Sequence, residues 1–295
     1  MKISVISVLY YSSHLVDKLI ENIYHSIKNV DEILFINNSN DDKITTETKS
    51  NIKIINTERN LGYGGAINLG LQYVRNNNLI IMNPDIHITE FEFNFDSFKE
   101  PFFLLSGIHN EAYIVEYFPT PLTELIDLTI GKTFAKLSFT KKLFNRYNEL
   151  DKNTVFHKVD WFSGALIITN KETMKQLGGF DDGYFLFYEE VDLCKRAKLN
   201  SISVLITDYI KYNSSFEIKS SSIDVNEIKL NSNINSLKRY HKKYSGKIST
   251  TIVLLIIKLF HLAILIILFP FKQLFKKNTK IKNKYLSYKI RYKTI

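Results

Sequence analysis

The sequence predicts an α/β fold with a mixed, mainly parallel sheet, followed by a C-terminal tail of different composition. Two observations carry this prediction. Short apolar segments alternate with stretches of helical spacing through the first 85 residues, which is the pattern of strand–helix–strand units in a parallel sheet. The net charge is also unevenly distributed along the chain. Residues 1–227 sum to −7, whereas residues 228–295 carry 16 Lys and Arg and no acid.

The expected elements follow in a regular order. Strands are expected at residues 3–9, 31–36, 51–56, 78–83 and 201–206, and helices near 14–28, 62–77, 121–148 and 224–245. Ligands of open α/β sheets bind beyond the carboxyl ends of the strands. The loops that follow the first four strands are therefore where we expect a functional site.

An acid follows the fourth of these strands, in the segment Asn83-Pro84-Asp85. A carboxylate there can hold a hard divalent cation such as Mg²⁺ or Mn²⁺ against a diphosphate. The alternative is an Asn-Pro-Asp turn that serves only the loop. The glycine-rich segment 59–70 is equally open to two interpretations, a tight turn or a close backbone approach to a ligand. Its spacing matches neither the dinucleotide fingerprint nor the P-loop.

Three acids, Glu189, Glu190 and Asp192, stand within four residues after the aromatic run YFLFY. Acids crowded beside apolar rings acquire a raised pKa, which is how a general base is prepared. The alternative is the first turn of a helix, where acids complement the helix dipole.

These segments occur in an order that resembles family 2 of the glycosyltransferases, and within it the rhamnosyltransferase-like branch. The resemblance runs from about Ile3 to Gly246. Its most specific part is VDWFSGALIITNKETMKQLGGFDDGYFLFYEEVDLCKR, and its N-terminal half adds Asn60, Gly62, Gly65, Asn68 and Gly70 before the Asn-Pro-Asp segment. The resemblance implies the GT-A nucleotide-diphospho-sugar transferase fold.

The resemblance also implies roles for individual residues in an inverting transfer from a nucleotide-diphosphate sugar. Asp85 would bind the Mg²⁺ or Mn²⁺ that bridges the two phosphates, Glu190 would be the base, and Glu189 its substitute candidate. Asp192 belongs to the same catalytic motif. The implied donor-binding residues are Tyr10, Asn37, Arg59, Asn60, Gly62, Gly65, Asn83, Asp85, Trp161 and Gly164.

Two positions depart from the family pattern. Asn37 stands where an Asp often contacts the nucleobase or ribose, and Asn213 lies in the region of a His that usually completes the metal site. Two alternatives follow: the metal site is weaker than is usual in the family, or His87 contributes to it beside Asp85. The same departures motivate an alternative function, a catalytically impaired sugar-nucleotide-binding subunit.

The tail predicts attachment to an anionic membrane surface. Residues 251–271 contain 16 Leu, Ile, Val and Phe, with five basic residues just before the block and nine after it. The block is long enough to cross a bilayer, but basic flanks on both sides favour an interfacial or hairpin placement. The alternative is a buried core helix. We expect a lipid-linked saccharide acceptor and no nucleic-acid partner.

The expected domain organisation is a catalytic domain at 1–223, a basic connecting helix at 224–247, an apolar membrane-associating segment at 248–271 and a basic tail at 272–295. No signal peptide is apparent, and the single Cys194 suits a reducing compartment. These observations predict a peripheral or monotopic protein on the cytoplasmic face of the cell membrane. The expected role is surface-polysaccharide synthesis, with rhamnose favoured over galactofuranose or another hexose as the sugar.

Overall fold

The computed structural model describes residues 1–39, 44, 50–96, 98, 101–110, 114–129, 147–151, 153–214, 223–269 and 279–295. The chain divides into two compact units. The first contains residues 1–118, 147–185 and 189–217, and the second contains residues 119–146, 186–188 and 218–295.

The first unit is built on a nine-stranded mixed sheet. The strands of the chain are β1 Ile3–Leu9, β2 Val30–Asn37, β3 Ile52–Asn56, β4 Asn78–Met82, β5 Ile86–Phe91, β6 Phe103–His109, β7 Ile114–Glu116, β8 Tyr147–Glu149, β9 Phe156–Lys158, β10 Leu166–Asn170 and β11 Ser203–Ser214. Strands β7 and β8 form a separate two-stranded sheet, and the other nine form the large one. The order in the large sheet is β3-β2-β1-β4-β10-β6-β11-β5, with β9 beside β11. The strands β3, β2, β1 and β4 are parallel, whereas β10 is antiparallel to β4 and β6, and β5 is antiparallel to β11.

The described helices are α1 Val16–Ser26, α2 Gly62–Leu71, α3 Pro121–Thr129, α4 Lys171–Leu177, α5 Glu189–Leu199, α6 Ile223–Tyr244, α7 Lys247–Leu268 and α8 Thr279–Thr294. Local chemistry sets their ends. The Asn170 side chain accepts a hydrogen bond from the Thr173 backbone N–H and so caps α4. Gly178, with φ +73°, ends the same helix in the left-handed conformation.

Two apolar clusters cover the two faces of the sheet. Along β1, Ile6 and Val8 belong to one cluster and Val5 and Leu9 to the other. Every residue of this strand is buried, as expected of a central parallel strand covered on both faces. The core therefore holds the strand ends in fixed positions.

The structure confirms the first four expected strands and the helix that follows the first of them. The glycine-rich helix ends at Leu71, earlier than expected. The helix expected at 121–148 is wrong at its end, because residues 147–149 form a strand paired with β7. Helix α3 is described from Pro121 to Thr129. Part of that expected helix lies outside the described residues.

The second unit consists of helices. Within it, α3 packs on α7, and α8 packs on both α6 and α7. The Lys238 Nζ atom donates to the Thr294 backbone carbonyl, and the Tyr188 hydroxyl donates to Glu124 Oε1 at 2.6 Å. The described end of the chain thus returns to α6, the helix that precedes the apolar one. The division into domains predicted from the sequence stays a prediction.

Candidate active site

The loops after β2 and β3 are joined by a network of asparagine side chains. Asn37 Nδ2 donates to Asn56 Oδ1 at 2.9 Å, and Asn37 Oδ1 accepts from Ser39 Oγ at 2.9 Å. Asn38 Nδ2 donates to Asn60 Oδ1 at 2.8 Å. Asn37 and Asn38 are buried, so these amides hold the loops at the sheet edge in one arrangement. The expected contact of Asn37 with a nucleobase stays a prediction.

The start of α2 requires glycine at position 62. Gly62 has φ +74°, and a Cβ placed there would lie 2.3 Å from the Phe185 carbonyl oxygen. The same carbonyl accepts from the Tyr63 backbone N–H at 3.1 Å, and Asn60 Oδ1 accepts from the Gly62 N–H at 2.9 Å. The glycine-rich segment is therefore fixed against the loop that carries Phe185. Gly65 is less constrained, since its Cβ would meet Leu61 Cβ at 3.3 Å.

Tyr63 lies among the acids that the sequence singled out. Its hydroxyl donates to the Gly164 carbonyl at 2.7 Å. Burial raises the pKa of this phenol, and the charges of Glu189, Glu190 and Asp85 raise it further. One side chain therefore interacts with both the expected catalytic acids and the expected metal ligand. The fold has brought together groups that are about 100 residues apart in the sequence.

Glu189 and Glu190 are the first two residues of α5, so two carboxyls stand side by side at its start. Glu189 is 5% exposed, and its Oε2 atom has no hydrogen-bond partner in the described part of the chain. Burial, and next the charge of Glu190, raise the pKa of Glu189 well above its usual value. Burial raises the pKa of Glu190 to about 7. A carboxyl with such a pKa can accept a proton near neutral pH.

Asp85 follows β4 as expected, but the histidine that interacts with it is His109. Burial raises the pKa of Asp85, and the nearby His109 opposes that shift. His109 is the last residue of β6, and its Nε2 atom lies 3.0 Å from Ser214 Oγ. His87, the expected metal residue, has an exposed side chain on β5. Among the described residues, no group of three or more His, Cys, Asp and Glu could hold a metal ion.

Comparison with known proteins relates this geometry to a family. The family model of glycosyl transferase family 2 matches residues 4–90. The low-salt glycan biosynthesis hexosyltransferase Agl10 of Haloferax volcanii is 23% identical over 217 residues, covering 68% of this chain and 63% of that protein. The rhamnosyltransferase WbbL of Escherichia coli is 24% identical over 158 residues, covering 48% of this chain and 56% of that protein. The chain thus spans less than two thirds of each relative's length.

Solved structures give the fold. GalNAc-T7, solved with UDP, GalNAc and Mn²⁺, has a TM-score of 0.54 at 12% identity, covering 81% of this chain and 48% of that one. The mannosyltransferase PcManGT of Pyrobaculum calidifontis, solved with GDP-Man and Mn²⁺, has a TM-score of 0.52 at 10% identity, covering 99% of this chain and 85% of that one. Residues 4–90 of the chain are thus similar to glycosyl transferase family 2. The fold of the chain is GT-A, as the resemblance implied.

Asp192 and Trp161, which the resemblance also singles out, differ in their surroundings. Asp192 is fully buried, accepts from Arg196 Nε at 2.7 Å and lies 3.4 Å from the Tyr184 hydroxyl. These contacts favour a role in holding α5, and the catalytic role expected for Asp192 stays a prediction. The Trp161 Nε1 atom donates to the Tyr117 carbonyl at 3.1 Å.

The expected donor-binding residues at the edge of the site are accessible. Tyr10 is 46% exposed at the end of β1, and the Arg59 side chain is also exposed. The Asn83 backbone N–H donates to the Ala165 carbonyl at 2.9 Å, which ties the Asn-Pro-Asp loop to the turn before β10 that contains Gly164. Their contacts with a donor stay predictions.

Sequence reasoning missed Tyr63 and His109. Tyr63 lies inside the glycine-rich segment, where the glycines alone drew attention. His109 could not be found because the order of strands β6, β11 and β5 was not predictable from the sequence.

Proposed function

We propose that the chain is an inverting glycosyltransferase that moves a sugar from a nucleotide-diphosphate donor to a saccharide acceptor. One observation carries the proposal. Glu190, whose pKa is raised to about 7, lies beside Tyr63 at Gly164, since a Cβ placed on Gly164 would be 3.3 Å from Glu190 Cβ and 3.6 Å from Tyr63 Cε1. The charge of Asp85 also acts on Tyr63. A proton acceptor and a residue able to bind a cation thus belong to one cluster on a GT-A sheet.

The chemistry assigned to Glu190 is general base catalysis. Its carboxylate takes the proton of an acceptor hydroxyl as that oxygen attacks the anomeric carbon of the donor. The bond between that carbon and the diphosphate oxygen breaks on the opposite face, so the configuration inverts and the nucleoside diphosphate leaves. Glu189, which burial holds towards its neutral form, remains the substitute candidate for the base.

Asp85 is proposed to hold Mg²⁺ or Mn²⁺. The donor chemistry fits, because a carboxylate oxygen and an imidazole nitrogen are both common ligands of Mn²⁺-type ions, while Mg²⁺ prefers the oxygen. When bound, such a cation would neutralise negative charge on the departing diphosphate. Asp85→Ala should therefore weaken divalent-dependent binding of a nucleoside diphosphate and leave the fold in place.

The proposed substrates are a rhamnose donor and a lipid-linked glycan acceptor. A rhamnosyltransferase and a hexosyltransferase of glycan synthesis are both relatives, so a hexose or galactofuranose donor is the alternative. The test is a panel of nucleotide sugars with a lipid-linked acceptor mixture, read by mass spectrometry with Mn²⁺ and with EDTA. Divalent-dependent transfer of one sugar supports the proposal. Binding of donors without any transfer would favour the sugar-nucleotide-binding subunit.

The tail is proposed to lie in the membrane interface without crossing it. Helix α7 is the one helix in the described part that is long and apolar enough to span a membrane. Only 11% of its most apolar stretch is buried. Because α8 packs on both α6 and α7, an α7 that crossed the bilayer would draw the basic α8 into it. The interfacial placement keeps the Lys and Arg beside anionic headgroups, on what we propose is the cytoplasmic face.

The accessibility of a tag placed after Ile295, measured in sealed vesicles of known orientation, tests this placement. Interfacial placement leaves the tag on the side of the catalytic domain. A tag on the opposite side would show that α7 spans the membrane.

A further inference from the structure

We propose that His109 is a ligand of the divalent cation that Asp85 binds, and that it reaches the site from a strand other than the one that carries Asn213. The proposal rests on the metal-assisted function above and adds a ligand that no sequence motif indicates. His109 ends β6, whereas Asn213 lies near the end of β11. The two strands are neighbours in the sheet.

The strand register brings the relevant residues to one edge of the sheet. In β11, Tyr212 pairs with His109 of β6, and Ser214 pairs with Ile86 of β5. Asp85 directly precedes Ile86. The end of β6 and the start of β5 are therefore separated only by the end of β11. This is why Asp85 and His109 interact although 24 positions separate them in the chain.

The ring of His109 is held in one orientation. It stacks on Tyr212 with centroids 5.0 Å apart and an interplanar angle of 25°. Its Nε2 atom lies 3.0 Å from Ser214 Oγ. Histidines that bind metals usually donate their other ring N–H to an oxygen, which fixes the tautomer. In the tautomer whose Nε2 donates to Ser214 Oγ, the Nδ1 lone pair is available to a cation.

The position of His87 argues against it as the alternative ligand. His87 pairs with Asn213 across β5 and β11, and both side chains are exposed. The neighbours of His87 in the strand, Ile86 and Ile88, are buried. Because successive side chains of a strand point to opposite faces, His87 and Asn213 lie on the outer face, away from Tyr212 and Ser214.

The experiment is pulsed EPR on the full-length protein with Mn²⁺ and a nucleoside diphosphate, with UDP, GDP and dTDP tried in turn. A coordinated imidazole gives a ¹⁴N modulation, and ¹⁵N labelling of the histidines assigns it to the protein. We expect the modulation in the wild type and in His87→Ala, the matched control. It should be lost in His109→Ala and in His109→Phe, which keeps a ring on Tyr212, with Mn²⁺ affinity lowered about tenfold or more.

The outcomes separate this inference from the proposed function. Mn²⁺ bound without a histidine modulation in the wild type would overturn the role of His109 and leave the metal-assisted function standing. A modulation that survives in His109→Phe or disappears in His87→Ala would also overturn it. Absence of Mn²⁺ binding with all three nucleotides would overturn both. A wild-type spectrum without a histidine modulation overturns the role of His109 even if the variants fail to fold.

Discussion

At the scale of single residues, the site contains carboxyl groups whose charged forms are disfavoured by burial. Glu189 and Glu190 are adjacent, and burial raises the pKa of both. The Phe187 and Tyr188 backbone just before them has φ of +68° and +67°, which non-glycine residues rarely adopt. Such local strain is typical of functional sites, where the rest of the fold maintains it. Removing the charge should therefore stabilise the protein while it impairs the reaction.

The first prediction concerns the stability of Glu190→Gln. Because the pKa of Glu190 in the folded protein, about 7, lies above its usual value of 4.5, the neutral carboxyl favours folding at low pH. That contribution is lost as the pH rises through about 7. At pH 8 the neutral glutamine should raise Tm by about 2–4 °C, corresponding to about 1 kcal/mol. At pH 4.5 the two proteins should melt within a degree or so of each other.

Thermal melts of both proteins at the two pH values check this. Glu92→Gln replaces an exposed carboxyl and is the matched control, with little change expected at either pH. A Glu190→Gln protein that is less stable than the wild type at pH 8 would show that the ionised carboxylate stabilises the fold.

The sequence predicted the acids of the site better than their neighbours. Asp85 and the glutamate pair were identified because each follows a recognisable local pattern. Tyr63 and His109 depend on contacts between distant segments, namely the Tyr63 bond to Gly164 and the pairing of β6 with β11. No local pattern encodes these contacts.

At the scale of elements, α2 depends on a close approach between two segments of the chain. A Cβ at Gly62 would lie 2.3 Å from the Phe185 carbonyl oxygen, whereas a Cβ at Gly178 would meet nothing within 4 Å. Both glycines have nearly the same positive φ, +74° and +73°. The pair therefore separates the effect of steric contact from the effect of backbone conformation.

The second prediction uses this pair. Gly178→Ala should cost about 1 kcal/mol, from the left-handed conformation alone. Gly62→Ala should cost at least about 2 kcal/mol more, because the backbone at Phe185 must move as well. Urea unfolding of the two variants measures the difference. Equal losses would mean that the loop carrying Phe185 yields freely and does not fix the start of α2.

The sequence predicted the parallel half of the sheet and less of the rest. Helices of clear periodicity follow β1 and β3, so the order of strands β1 to β4 follows from general rules of α/β folds. The antiparallel insertion of β10 between β4 and β6 has no such signal. The sequence predicts a helix up to residue 148 and not the strand at 147–149, because the pairing of that strand with β7 is a contact between distant segments.

At the scale of the whole molecule, the third prediction concerns membrane binding through α7. Leu255 and Leu259 are 54% and 56% exposed on this helix, and the basic residues around it favour anionic lipid. Leu259→Asp should reduce binding to vesicles containing anionic lipid by about tenfold or more, because inserting a carboxylate is costly. Ser249→Asp adds the same charge before the apolar block and should reduce binding much less.

Vesicle flotation at low and high salt makes the comparison. Salt should weaken binding of the wild type only in part, because insertion of apolar side chains is not screened. Complete release by salt, or equal binding by the two aspartate variants, would exclude insertion of α7.

Whether Glu190 is the catalytic base is tested most directly by measuring the turnover of Glu190→Gln together with its affinity for the donor, once the donor panel has identified the sugar. Glutamine keeps the shape of the side chain and cannot accept the acceptor proton. We predict a fall in turnover of about 10²–10⁴-fold, with the dissociation constant for the donor nearly unchanged. Near-wild-type turnover in this variant would contradict the assignment of Glu190 as the base, and Glu189→Gln would then be measured in the same way.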